Sequence, residues 1–335
     1  MLGSAEHDLV ATAAATGRPR VCLPKQTAAG GRGASVWSLA RTPQLQRYCH
    51  LIARAHARLR GDPLAARSAA LAADEVLPGR APTRVVMART ALSMDRIAEA
   101  WQEFNKALSI DPQALEQPLA MHDLAVAQWR SGKLREALAT YRILVPRAGL
   151  LPDRELRARV MLEAAHVAMA LAAEPPPVAP SAAAGAPPQP AVTPPASTPP
   201  ANTPPDKEPA LDETLAFLRA ATADPHHRLR LDVELSLVLA LDRVGRSRQA
   251  DAVLGELSGT ARWAETARPD YLAAVADLPA LRALAWQQTD RARAIQQWQS
   301  FLAGPGGKGP WAKAATARLA GLRSPQQPSG RRQPR

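Results

Sequence analysis

Three stretches of this sequence carry residue types that do chemistry. Gly304–Pro310, GPGGKGP, has the glycines and lysine of a loop that wraps phosphate in backbone N–H groups. Such a loop also needs a glycine five residues before Gly307, where Leu302 stands, and a Ser or Thr after the lysine, where Gly309 stands. A flexible turn is expected instead. Cys49-His50 and His226-His227 are adjacent pairs, and neighbours on a helix point about 100° apart, so neither pair makes a chelating face. There is no H-x-x-x-H, H-E-x-x-H or G-x-S-x-G spacing, and Asp and Glu are scattered. The residues therefore predict no enzyme, no metal site and no cofactor.

The elements that hold these residues are built from a chain of 335 residues, rich in Ala, Arg and Pro and poor in aromatics. Its net charge is +12. Residues 1–60 carry nine Lys or Arg against two acids, and residues 323–335 carry four Arg and no acid. The body between is close to neutral, so the basic excess lies at the ends. Two cysteines, Cys22 and Cys49, are too few for a disulfide framework. The first twenty residues lack the charge and the apolar run of a signal peptide. No run of about 18 apolar residues predicts a membrane span.

Asp95–Pro112, DRIAEAWQEFNKALSIDP, is the clearest single element. Ile97, Ala100, Phe104 and Ala107 make one apolar helical face, and Pro112 stops the helix. Gln102, Glu103 and Lys106 are expected on its solvent side. Ala66, Ala70, Ala73 and Pro78 mark the same positions 34 residues earlier. Asp62-Pro63 supplies the cap and first residue of that earlier helix. A first helix at 44–60 precedes it, and 83–93 precedes 95–112. A third hairpin follows at 118–130 and 134–144, after about three extra residues near Gln113–Gln117. A helix at 153–173 is expected to start on Asp153. Residues 174–209 form a Pro/Ala/Thr-rich disordered linker, extended and rich in polyproline II structure. A helix at 211–225 follows. It and the helix at 153–173 are expected to be partners, with the linker extruded from within one hairpin; two arrays on a tether is the alternative. A fifth hairpin covers 231–244 and 247–257. A sixth covers 271–288, interrupted by Pro279, and 290–302, and a capping helix spans 311–322.

On the 34-residue offset and the small–aromatic–small–proline face, the sequence resembles the tetratricopeptide repeat (TPR) family, of bacterial type. The resemblance covers about residues 44–322, less the linker. It implies an all-α fold, an α-solenoid of antiparallel helical hairpins with five to six repeats. The organisation is a disordered basic leader (1–41), an N-terminal array (42–173), the linker (174–209), C-terminal helices with a cap (210–322) and a basic tail (323–335). His50, Arg84 and Met121 stand where the family usually has Trp.

In this family the first helix of each repeat lines a concave groove. The register puts Leu51, Ala55 and Arg58 there, then Val85, Arg89 and Leu92, then His122, Val126, Trp129 and Arg130. Leu235, Leu239, Asp242 and Arg243 follow, then Ala283 and Trp286. The partner-binding residues expected on this basis are Arg58, Arg89, His122, Trp129, Arg130, Arg243 and Trp286. Arginine forks onto carboxylate and tryptophan offers a flat apolar platform, which suits an extended peptide with acidic segments. For Trp129 and Trp286, packing against the next repeat is the competing role. The groove offers neither Asn nor Lys, so it is not a clamp for chaperone tails.

The function implied is a non-catalytic scaffold that binds a protein or peptide partner. Nucleic acid or an anionic surface held by the basic termini is the second class and is not favoured. The location expected for the chain as written is cytoplasmic, or the bacterial envelope if a start lies upstream.

Overall fold

The computed structural model describes residues 19–22, 43–173, 209–224, 226, 228–257, 275–287, 289–309 and 311–324. The linker segment 174–208 and most of the two basic ends lie outside them, as does 258–274. Among the described residues there are thirteen α-helices and no strand. The chain divides into two compact units. One is Met1–Val167 with Asp224–Leu229, and the other is Ala168–Ala223 with Arg230–Arg335.

The first unit contains α1 (Pro43–Arg58), α2 (Pro63–Val76), α3 (Ala81–Ser93), α4 (Ile97–Ile110), α5 (Pro118–Arg130) and α6 (Leu134–Leu144). The division falls inside α7 (Arg154–Ala173). Helices pair as α1–α2, α3–α4 and α5–α6, and the first helices also touch in succession, α1 to α3 and α3 to α5. Local chemistry sets the ends. The Asp62 carboxylate accepts from the Ala65 N–H at 2.9 Å, with Pro63 in the first turn. Asp153 does the same for Leu156 at 2.6 Å. Gly132, at φ 75°, makes the left-handed turn between α5 and α6 at no Cβ cost. Asp95, at φ 62°, makes the corresponding turn between α3 and α4.

The core is alanine-rich because the hairpins approach closely. Ala88, Ala91, Ala100 and Ala107 surround Phe104, all fully buried. Ala55, Ala66 and Ala70 meet Val86 and Met87 in the neighbouring cluster. First helices are enclosed on most sides; α3 buries Ala81, Thr83, Val85, Val86, Met87, Ala88, Thr90 and Ala91. Ala55 and Val85, expected to face the groove, are therefore core residues. Gln102 and Lys106 are exposed on α4, but Glu103 is only 6 % exposed, a correction to its expected solvent position. Arg84 lies against it. Its guanidinium reaches Asp74 of α2 at 3.0 Å and Glu103 of α4 at 3.5 Å. The guanidinium thereby joins the second helices of two successive hairpins.

The leader is described only at residues 19–22, of which Arg20–Cys22 form a 3-10 turn. Cys22 is disulfide-bonded to Cys49 of α1, with Cα atoms 5.5 Å apart. Two cysteines do not make a framework, but they make one tether, and Cys22 packs beside Tyr48 and Ile52.

The second unit holds α8 (Pro209–Ala223), α9 (Arg230–Arg243), α10 (Ser247–Glu256), α11 (Leu278–Trp286), α12 (Arg291–Ala303) and α13 (Ala312–Arg323). Adjacent packing joins α8 to α9, α9 to α10, α11 to α12 and α12 to α13. Pro279 does not interrupt α11. It sits in the first turn, where its missing N–H has no partner to lose. The turn after α12 has a regular backbone. Pro305–Lys308 is a 3-10 turn. A Cβ on Gly306 would lie 2.2 Å from the Phe301 ring, and one on Gly307 1.8 Å from the Leu302 carbonyl oxygen. Only glycine fits at either place.

Candidate partner-binding site

In the first unit, polar side chains from successive first helices join into one ladder. His56 Nδ1 of α1 lies 3.3 Å from Arg89 Nη1 of α3. Arg89 Nε donates to Asp123 Oδ2 of α5 at 2.5 Å. His122 Nε2 lies 2.7 Å from Glu163 Oε2 of α7, and the Tyr141 hydroxyl donates to the same oxygen at 2.9 Å. His122 Nδ1 sits 3.6 Å from Asp123 Oδ1, within ion-pair range but too long for a hydrogen bond.

Burial would push the His122 imidazolium down, but Asp123 and Glu163 outweigh it and hold the group up to about 10. Burial likewise opposes ionisation of Asp123, yet Arg89 and His122 keep its carboxyl below the ordinary value. His166, 3 % exposed, is pushed down to about 4 by burial, against the charge of Glu163. His56 is lowered to about 4 by burial and then by Arg89. The ladder thus holds a neutral His56 at one end and a protonated His122 further along, with a neutral His166 packed on Trp129.

The expected site residues are distributed unevenly. Arg58 is exposed near the end of α1. Arg89 and His122 lie in the ladder, where internal carboxylates already hold their charges. Trp129 is half-buried, edge-on to His166 at 6.3 Å. Arg130 is 42 % exposed and pairs with Asp95. In the second unit, the Arg243 side chain is only 4 % exposed, 2.6 Å from Asp277 and 3.5 Å above the Trp311 ring. Burial lowers its pKa, which Asp277 partly offsets. It is an interior residue and presents no open surface, contrary to expectation; Asp242, Leu235, Leu239 and Ala283 are buried too. Trp286 is half-buried, with the Arg293 guanidinium 4.8 Å from its ring.

Sequence reasoning missed His56, Asp123, Glu163 and His166. A signal existed for two of them: His56, Arg89 and Asp123 follow one another at 33 and 34 residues, one register column of the repeat. Beside the column lies a cavity of about 220 Å³. Pro19 and Val21 form one wall, and His56, Arg80, Val85 and Ile110 form others. The disulfide-tethered turn thus meets the first-helix face. Among the described residues, no group of three or more His, Cys, Asp or Glu gathers to hold a metal ion. Nor, among them, is any helix long and apolar enough to cross a membrane.

No family model matches the chain, and no curated protein matches it. Among solved structures, it is similar to PilF of Pseudomonas aeruginosa, at 14 % identity and a TM-score of 0.44, over 82 % of this chain and 99 % of that one. It is also similar to a tetratricopeptide repeat protein from Parabacteroides merdae, at 13 % identity and 0.36, over 83 % and 100 %. The TPR domain of P58(IPK) aligns at 10 % identity and 0.34, over 86 % and 70 %. The chain's own 34-residue column, its paired hairpins and the successive first-helix contacts of its first unit describe an all-α, TPR-like stack of antiparallel helical hairpins.

Proposed function

We propose that the chain is a non-catalytic scaffold that holds a protein or extended peptide along the first-helix face of its first unit and so assists assembly of a complex. The observation that supports this reading is the row of touching first helices α1, α3 and α5 beside the 220 Å³ cavity. Arg80 lines that cavity, Arg58 and Arg130 are exposed at the C-terminal ends of α1 and α5, and Trp129 is half-buried beside Arg130. Those groups fit a partner segment with carboxylates. The test is cross-linking and capture from the native cell with wild-type chain and with Arg58→Glu/Arg130→Glu. The partner is expected to disappear from the double variant while its far-UV circular dichroism is unchanged. Retention of every captured partner by the folded variant would overturn the reading. A nucleic-acid function would instead give binding that weakens steeply with salt and depends on residues 1–40 and 323–335, since neutralising phosphates releases counterions.

We further infer an envelope location in preference to the cytoplasm. The Cys22–Cys49 disulfide supports this, because such bonds persist in oxidising compartments and are rare in the cytosol. Alkylation of the protein in intact cells, before and after reduction, tests it. Full labelling of both thiols without reductant would count against the envelope.

A further inference from the structure

The last helix, α13, is held in an unusual way. Its buried apolar side chains are only Ala315 and Leu319. What fixes it is polar. Arg318 Nε donates to Asp242 Oδ1 of α9 at 2.7 Å, and Nη2 reaches the same oxygen. Its Nη1 donates to Asp251 Oδ1 of α10 at 3.0 Å and lies 3.4 Å from Gln287 Oε1 after α11. Nη2 also meets the Ser247 carbonyl at 3.5 Å. Trp311, seven residues before Arg318 and so on the same face, stacks on Arg243 at 3.5 Å. The far end is held by Arg291 of α12, which donates to the carbonyl oxygens of Leu322 and Ser324, both at 2.6 Å. Glycines 306 and 307 allow the close turn that returns the helix to this position.

A helix that only closed the end of an array would bury an apolar stripe against the last hairpin. This one reaches past the last hairpin to α9 and α10, with a guanidinium whose N–H groups are shared among two carboxylates, an amide and a backbone carbonyl. That is how arginine is recognised rather than how a core is packed. We propose that Asp242, Asp251, Gln287 and the Ser247 carbonyl form an arginine socket, and that α13 is a ligand held in cis. The partner it fits is a helix presenting an aromatic residue, a small residue four positions on, and arginine followed by leucine three and four positions after that, as Trp311, Ala315, Arg318 and Leu319 do. This deepens the scaffold reading, on which it rests, by naming a second binding surface and the class of segment it takes.

The probe is a fluorescent synthetic peptide of residues 311–324, added to full-length chains. The Arg318→Ala chain, whose own helix has lost its grip, is expected to bind the peptide about 10- to 100-fold more tightly than wild type. The same peptide with Arg318→Lys is expected to lose that gain, because lysine cannot fork. Asp242→Asn/Asp251→Asn in the Arg318→Ala chain is expected to abolish binding. In parallel, amide exchange across 312–323 should speed about tenfold or more in the Arg318→Ala chain while α9 and α10 keep their protection. Equal peptide affinity for wild type and Arg318→Ala, or unchanged exchange in α13, would overturn the proposal. So would a dimer made by exchanging α13 between copies. If Arg318→Ala fails to fold by circular dichroism, Arg318→Lys, which keeps the charge but loses the fork and leaves every socket residue in place, replaces it with the same readouts. A native partner lost on Arg58→Glu/Arg130→Glu but indifferent to Arg318 would sink the socket and leave the scaffold standing. Peptide binding in trans without any such partner would do the reverse.

Discussion

At the residue scale, the ladder ties folding to pH at both ends of the range. His166 is neutral in the fold down to about 4, whereas in the unfolded chain it protonates near 6.5. Below 6.5 the unfolded state therefore binds the proton first, and stability falls as pH drops from about 6.5 to 4. At about 1.4 kcal/mol per pH unit the loss is about 3 kcal/mol. His56 is lowered to the same value, so His166→Phe should remove about half of the acid limb in a series of thermal melts. His122 has the opposite sign. Its folded value is raised, so its contribution is fully present below 6.5 and is lost as pH rises through about 10. Glu163→Ala removes the acceptor shared by His122 and Tyr141, and is expected to cost about 3 kcal/mol and to move the alkaline transition to lower pH, with Asp123 still holding part of the shift. Denaturant titrations at pH 8 and pH 10.5 measure both effects.

At the scale of elements, turns and close contacts decide. Gly132→Ala leaves open space around the new Cβ, so its cost is purely backbone, about 1 kcal/mol for forcing alanine to φ 75°. Phe104→Ala empties the centre of the α3–α4 cluster and should cost about 4 kcal/mol. Equilibrium unfolding by urea ranks the two. These elements were legible before any coordinates, since Ala100, Phe104, Ala107 and Pro112 repeat a pattern and a pattern needs only spacing. Asp62 and Asp153 were legible as caps for the same reason. Glu103 was not, because its burial depends on Arg84 and Asp74, which belong to two other helices. Arg243 was read as groove from its register, and no register shows that Trp311, 68 residues on in the chain, covers it. The helix at 311–322 is expected from the sequence as a cap, but its attachment to α9 and α10 is hidden for the same reason: Arg318 and Asp242 are 76 residues apart.

For the whole molecule, the tether at the N-terminal end carries the most direct test. The cysteines are 27 residues apart, and a loop of that size restrains the unfolded chain by about 3 kcal/mol in the entropy model. Reduction by a dithiol, or Cys22→Ser with Cys49→Ser, should loosen α1 and the Arg20–Cys22 turn more than the hairpins after them. Amide exchange followed by mass spectrometry, peptide by peptide, reads that gradient. A uniform change along the first unit would show that the disulfide acts on the array as a whole.

The alanine-rich core also constrains how this sequence can change. A single-base change in an alanine codon yields Val, Thr, Ser, Pro, Asp, Glu or Gly, and glycine alone is smaller. At Ala88, Ala91, Ala100 and Ala107, all fully buried, nearly every accessible replacement adds volume, a polar atom or a broken helix. A core of leucines drifts by opening holes that neighbours partly fill. Here drift begins by prying hairpins apart, and a neighbour can answer only by shrinking. Compensating pairs should therefore couple an enlarged alanine with a reduced Phe104, Leu115 or Leu124 in the same cluster.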